Sequence, residues 1–244
     1  MAIIDIHAHY GAWPFPSKGE ELERLLRFLD KYGVEKCVLS SSRAIAHDFV
    51  RGNAELAEVL GRDPRLFGYV TLNPNYIELC EREMAQYLRG ETKFVGAKLH
   101  HSYTGVSPDS PETREVLARL RRYDVPVLVH TYSASDVRQV AKLAAEFRQT
   151  KFILAHMGAR DWREAIRLAR VHTNLFLDPC CSVPDADKIS EAVRALPHRV
   201  VFGSDMTLLH PAYTLGMVMD ADLSDAEREA VLYRNALRLF RFPK

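Results

Sequence analysis

Seven residues of the kinds that bind metals or move protons stand at the ends of short apolar runs. His7 and His9 close the run that begins Ile3-Ile4-Asp5-Ile6, and Lys98 and His100 close the run from Phe94. His130 follows Val127-Leu128-Val129, His156 follows Ile153-Leu154-Ala155, and Asp205 follows Val200–Ser204. Side chains at i and i+2 of a strand share a face. His7 and His9 can therefore point at one ion, and Lys98 and His100 have the same relation. Three imidazoles and a carboxylate suit zinc or a similar divalent ion with a position left open for water. Such an ion lowers the pKa of bound water from 15.7 to about 7. Each element alone is weak: a single HxH arises by chance, and a strand-end histidine is commonly a hydrogen-bonded structural residue. The order HxH, His, His, Asp, each at the end of its own strand, carries the weight.

Those ends must converge for the residues to act together. Eight runs read as strands: Ile3–His7, Lys36–Ser40, Leu66–Leu72, Phe94–His100, Pro126–His130, Phe152–His156, Leu175–Asp178 and Val200–Ser204. Their spacing of about 30 residues is that of a βα unit. Between them, Leu22, Leu25, Leu26 and Leu29 mark one helical apolar face, and Val137, Val140, Ala141, Ala144 and Phe147 mark another. Gly33, Gly61 and Gly90 stand where helices should end in a left-handed residue. Ser110-Pro111 reads as a cap with a first-turn proline, and Ser224 with Glu227 as a capping box. Continuous apolar strands suit a parallel sheet covered on both faces. No glycine-rich phosphate loop follows the first strand, which disfavours an open dinucleotide-type sheet. The expected fold is an α/β, (β/α)8 TIM barrel, residues 1–244 as a single domain. In such a barrel the carboxyl ends of the strands form one mouth, where active sites lie.

Composition removes several classes. Lys+Arg is 33 and Asp+Glu 32, a net charge of +1, which offers nucleic acid no basic field. Arg163, Arg167 and Arg170 read as a solvated helix face. No apolar run reaches the roughly 18 residues of a membrane span, and the first residues lack a signal-peptide pattern, so the expected address is cytoplasmic. Cys37, Cys80, Cys180 and Cys181 form no pair of CxxC units and are expected to be reduced. Cys180 and Cys181 are expected to be small buried fillers beside Asp178. His47, His172, His198 and His210 are expected on loops or the surface.

The chain resembles the amidohydrolase superfamily, in the amidohydrolase 2 branch related to aminocarboxymuconate semialdehyde decarboxylase. The resemblance runs through Ile4-Asp5-Ile6-His7-Ala8-His9, Asp63-Pro64-Arg65-Leu66-Phe67-Gly68, Gly96-Ala97-Lys98-Leu99-His100 and Ile153-Leu154-Ala155-His156-Met157-Gly158. It closes with Phe202-Gly203-Ser204-Asp205 and Tyr233-Arg234-Asn235-Ala236-Leu237-Arg238-Leu239-Phe240. The resemblance implies one divalent metal held by His7, His9, His130 and Asp205. Zn2+ suits these ligands, with Mn2+, Fe2+ or Co2+ as alternatives. Asp205 would also accept a proton, and His156 would stay off the metal to polarise substrate. A second ion follows if Lys98 is a carboxylated bridge. Otherwise Lys98 and His100 face the substrate, and Tyr10, Trp13 and Arg160 are further substrate-facing candidates.

Three functions fit this set. The first is hydrolysis of a small amide, lactone or ester by metal-activated water. The second is non-oxidative decarboxylation of a small unsaturated or aromatic carboxylic acid, a lyase reaction. The third is a barrel that binds a metal or ligand without turnover. The expected partners are a small-molecule substrate and, in one case, a second copy of the chain, since the short loops after the strands leave the mouth open. Neither nucleic acid nor membrane is expected.

Overall fold

A computed structural model describes residues 1–243. Seven of the eight expected runs are strands: β1 (Ile3–Tyr10), β2 (Val34–Ser41), β3 (Leu66–Thr71), β4 (Phe94–Leu99), β5 (Val127–His130), β6 (Phe152–Ala155) and β7 (Leu175–Asp178). They pair in chain order, every pair parallel, as one curled sheet with helices between successive strands.

The eighth run departs from expectation. Val200–Ser204 forms no regular strand and makes only isolated bridges, Leu177 with Val200 and, just beyond it, Ala8 with Met206. It still touches both edges of the sheet: Val201 N donates to Leu177 O at 2.9 Å, Ile6 N to Phe202 O at 2.9 Å, and Asp205 N to His7 O at 2.8 Å. Side-chain chemistry interrupts the ladder. Ser204 N donates to Asp5 Oδ1 at 3.0 Å and its hydroxyl to Asp5 Oδ2 at 2.5 Å. Asp205 then turns to φ 57°. Gly203 is needed here, because a Cβ would sit 2.6 Å from Asp178 Oδ1 and 2.7 Å from His7 Cβ. The expected barrel is thus a seven-stranded parallel sheet plus an irregular eighth segment.

Two apolar layers hold the sheet. The outer one packs strand residues such as Leu39, Val70, Val129 and Leu154 against helix residues such as Leu25, Leu29, Val137 and Val140. The inner one joins Ile4, Ile6, Val38, Phe67, Tyr69, Leu128 and Ile153 to Ala236, Leu239 and Phe240 from the carboxyl-terminal stretch. Each large side chain buried in this way stabilises by about 1.5–3 kcal/mol. Ile6 belongs to the inner layer and Ala8 to the outer one, so the alternation of β1 slips where its register with β2 shifts. The slip swings His7 and His9 inward together. The Tyr69 hydroxyl steadies it by donating to Ile6 O at 2.7 Å.

The helix ends match the sequence signals with two exceptions, one being Gly90, which is left-handed but lies beyond the Leu88 cap of its helix. Ser110 accepts from Thr113 N, Ser224 and Glu227 form a reciprocal box, and Gly33 is left-handed at φ 66°. Gly61 ends its helix in a right-handed conformation instead, at φ −71°, where glycine is not required. Among the described residues no helix is long and apolar enough to cross a membrane.

Candidate metal centre

The carboxyl ends of the strands enclose a cavity of about 250 Å³ lined by His7, His9, Lys98, His100, His130, His156 and Asp205. Trp13, Tyr132, Ser182, Leu208 and Leu209 complete the wall. Trp13 is therefore at the mouth as expected, whereas Tyr10 packs against the outer core and Arg160 is exposed, neither lining the cavity. His47, His198 and His210 are exposed and His172 half-buried, all off the cavity wall.

Within the cavity three donors converge. His7 Nε2 lies 3.2 Å from His9 Nε2 and 3.7 Å from Asp205 Oδ1, and His9 Nε2 lies 3.0 Å from Asp205 Oδ1. Donors about 2.1 Å from one ion at a tetrahedral angle stand about 3.4 Å apart, so these spacings match the edges of a coordination shell. The tautomer argues the same way. His7 Nδ1 gives its proton to Asp178 Oδ2 at 2.7 Å, which leaves a lone pair on Nε2 facing another ring nitrogen. His9 Nδ1 is buried without a hydrogen-bond partner, and Asp205 Oδ1 has only ring nitrogens beside it. A ring-nitrogen lone pair and a carboxylate oxygen converging in a buried cavity call for a cation. These residues fit a divalent metal.

His130 is in the cavity but outside this three-residue group. Its ring stacks on His100, centroids 4.0 Å apart, and meets His156 edge-on at 4.9 Å. Its Nδ1 is buried and unpartnered. A second close group, His7, His156 and Cys180, also exists. Its ring nitrogens are already engaged, since His156 Nδ1 donates to the Cys180 carbonyl at 2.8 Å and His7 Nδ1 to Asp178. A carbonyl only accepts, so His156 keeps its proton on Nδ1 and its Nε2 lone pair free.

Burial governs the electrostatics. It holds the imidazoles of His7, His9, His100, His130 and His156 below the ordinary histidine range, with the Lys98 charge adding to the effect, so all five are neutral near pH 7. Burial also brings Lys98 down to about 8, although Asp205 and Asp178 pull it back up. For Asp205 burial acts upwards, but the hydrogen bond from His9 and, in their protonated forms, the charges of His7 and His156 hold the carboxyl below its usual range. Burial raises Asp178 to about 6 and Asp5 to about 7. His156 and Asp205 both adopt left-handed backbone, φ 68° and 57°, a conformation that costs non-glycine residues about 1–3 kcal/mol and clusters at functional sites.

Sequence reasoning passed over Asp178 and Cys180 as partners of the histidines. Asp178 was the findable one: it ends β7 as His130 ends β5, at an inward position of its strand. Tyr132 and Ser182 carry no motif; they meet through a 2.5 Å hydroxyl contact between two loops.

The fold agrees with comparisons to known proteins. Among solved structures, a dihydroxybenzoic acid decarboxylase from a Polaromonas species, with manganese and 2-nitroresorcinol bound, superposes with a TM-score of 0.78 at 18% identity, over 98% of this chain and 96% of that one. A 5-carboxyvanillate decarboxylase from Novosphingobium aromaticivorans, complexed with manganese and a nitrobenzoic acid, gives 0.76 at 17% identity, over 91% and 81%. A probable 2-pyrone-4,6-dicarboxylic acid hydrolase from Acinetobacter baumannii, with citric acid bound, gives 0.71 at 15% identity, over 98% and 99%. No curated protein sequence matches. The amidohydrolase family model matches residues 4–242, nearly the whole chain, and the chain belongs to the amidohydrolase family.

Proposed function

We propose that the chain, residues 1–244, is a metal-dependent enzyme that decarboxylates a small, planar, unsaturated or aromatic carboxylic acid. The observation that carries this reading is Lys98, a fully buried amine with no carboxylate bonded to it, in a cavity of about 250 Å³ walled by Trp13, Tyr132 and the stacked His100–His130 pair. A buried cation whose one contact is the His7 ring nitrogen, with no counter-charge bonded to it, is costly, and a substrate carboxylate would pair with it. The flat aromatic walls suit one unsaturated ring.

In this reading the 200–206 segment closes the sheet as the eighth stave of a barrel. His7, His9 and Asp205 would hold the metal, with His130 joining them after a shift of its ring. The bound ion supplies a Lewis acid beside the substrate. Lys98 binds the carboxylate, and Trp13 and Tyr132 hold the ring and exclude water. Asp205 would take a proton from water through the carboxylate oxygen that the ion leaves free and pass it to the carbon from which carbon dioxide leaves, so the C–C electron pair ends in the new C–H bond. His156 presents Nε2 to the substrate oxygens. Lys98 Nζ is 3.4 Å from His7 Nε2, too close for a carboxyl group to fit between them, which favours a free amine and one metal.

Hydrolysis of a lactone or amide is the second reading, favoured by the ionised Asp205 carboxylate, a ready general base. A panel of hydroxylated benzoates, dienoic acids and pyrone lactones separates the two. Carbon dioxide release in deuterated water, with one deuterium at the vacated carbon, supports the lyase. Labelled water oxygen in the product, with no carbon dioxide, replaces it with the hydrolase. A protein that holds its metal and turns over nothing on the panel would be a binding barrel.

A further inference from the structure

Two imidazoles of the centre keep their protons on Nδ1, and one residue touches the partners of both. Cys180 N donates to Asp178 Oδ1 at 3.0 Å and Cys180 Sγ to Asp178 Oδ2 at 3.0 Å. The carboxylate held at both oxygens accepts from His7 Nδ1 at 2.7 Å. The thiol sulfur also lies 3.2 Å from that nitrogen and 3.6 Å from His156 Nδ1. The Cys180 carbonyl accepts from His156 Nδ1 at 2.8 Å. Cys180, Asp178 and His7 are all at most 1% exposed, so no solvent can replace these contacts. The expected role of small filler understates this residue. Its neighbour Cys181 points elsewhere, its sulfur accepting from Val183 N and donating to the Tyr132 hydroxyl.

We propose that Cys180 is a positioning residue that sets the tautomers of the centre: through its thiol and Asp178 it keeps His7 Nε2 unprotonated, and through its carbonyl it does the same for His156. The inference rests on the metal-centre reading. A ligating histidine binds only through an unprotonated nitrogen, and the group that fixes the other nitrogen typically changes metal affinity 10–100-fold when removed. The two arms differ. The His7 arm needs the side chain, whereas the His156 arm needs only the backbone and survives any substitution that keeps the fold.

The test compares wild type with Cys180→Ala, Cys180→Ser and Cys181→Ala by two measurements. Chelator competition gives the affinity for Mn2+ and Zn2+. Nitrogen NMR of the metal-free, histidine-labelled protein reads which ring nitrogen carries the proton, with signals assigned through His7→Gln and His156→Gln. We expect Cys180→Ala to weaken metal binding about tenfold and to mix the His7 tautomers while leaving His156 on Nδ1. Cys180→Ser should restore both to within about twofold of wild type, and Cys181→Ala should change neither. Wild-type affinity and a wild-type His7 signal in Cys180→Ala would overturn the proposal. So would a wild-type spectrum with His7 protonated on Nε2, which needs no variant to fold. If the wild type takes up no metal, the metal-centre reading fails, while the metal-free spectra still decide the role of Cys180.

Discussion

The two ends of the same strands are built from opposite materials. At the amino ends the interior is closed by Ile4, Phe67 and Tyr69 against Ala236, Leu239 and Phe240. At the carboxyl ends the inward positions hold His7, His9, Lys98, His130 and Asp178. Both ends are largely buried, so burial alone does not separate them. What separates them is whether burial helps: it stabilises the apolar end and penalises every ionisable group at the other. The depressed imidazoles, the lowered Lys98 and the left-handed His156 and Asp205 all sit at the carboxyl end. The apolar end then carries the stability that lets the polar end keep groups poised for chemistry.

Four experiments break or sharpen this contrast, beginning with the largest effect. Asp205→Asn should lower turnover of any substrate found by about 10³-fold, the scale of removing one preorganised charged group, while leaving the melting temperature near wild type. A large loss of stability with activity retained would reverse the roles of the two ends. Phe240→Ala, at the apolar end, should cost about 3 kcal/mol in denaturant unfolding and leave metal stoichiometry unchanged.

The third experiment is a pH titration of the metal-free protein. The five lowered histidines bind protons on acidification only in the unfolded chain, so their contribution is complete above the unfolded pKa of about 6.5 and is lost as pH falls. Asp5 and Asp178, raised to about 7 and about 6, act oppositely: their contribution is complete below the ordinary aspartate value of 3.8 and is lost as pH rises. Five groups against two leave a net loss in acid. The melting temperature should drop on the order of 5 °C or more between pH 7 and pH 5, and bound metal should enlarge the gap. A protein more stable at pH 5 would mean that the carboxyl pair dominates. The smallest effect tests a region outside both ends: Ser224→Ala removes the capping box and should cost about 1 kcal/mol in thermal or chemical unfolding without touching metal content.

The strands were legible because continuous apolar runs between helical patterns leave few arrangements, and the first seven formed as the pattern requires. The eighth was not, because Ser204, by backbone N and hydroxyl, bonds to the Asp5 side chain 199 residues away instead of extending a ladder. His7, His9 and Asp205 were legible for their types and their places at strand ends. His130 was placed at the correct strand end, but the ring it stacks on, His100, follows a different strand, a contact no local pattern shows. Tyr10, expected to face the substrate, is off the cavity wall for a reason of phase: next to His9 on β1, it takes the opposite face and packs outward. The role of Cys180 depends on contacts to residues 171 to 173 positions apart from His7, which no local pattern encodes.

The most direct test of the central claim is the metal content of the purified protein after reconstitution with Mn2+ or Zn2+ and dialysis, for wild type and the His7→Ala/His9→Ala double variant. The account predicts about one equivalent in the wild type and none in the double variant, with the fold intact by circular dichroism. No uptake by the wild type, or undiminished uptake by the double variant, would contradict it.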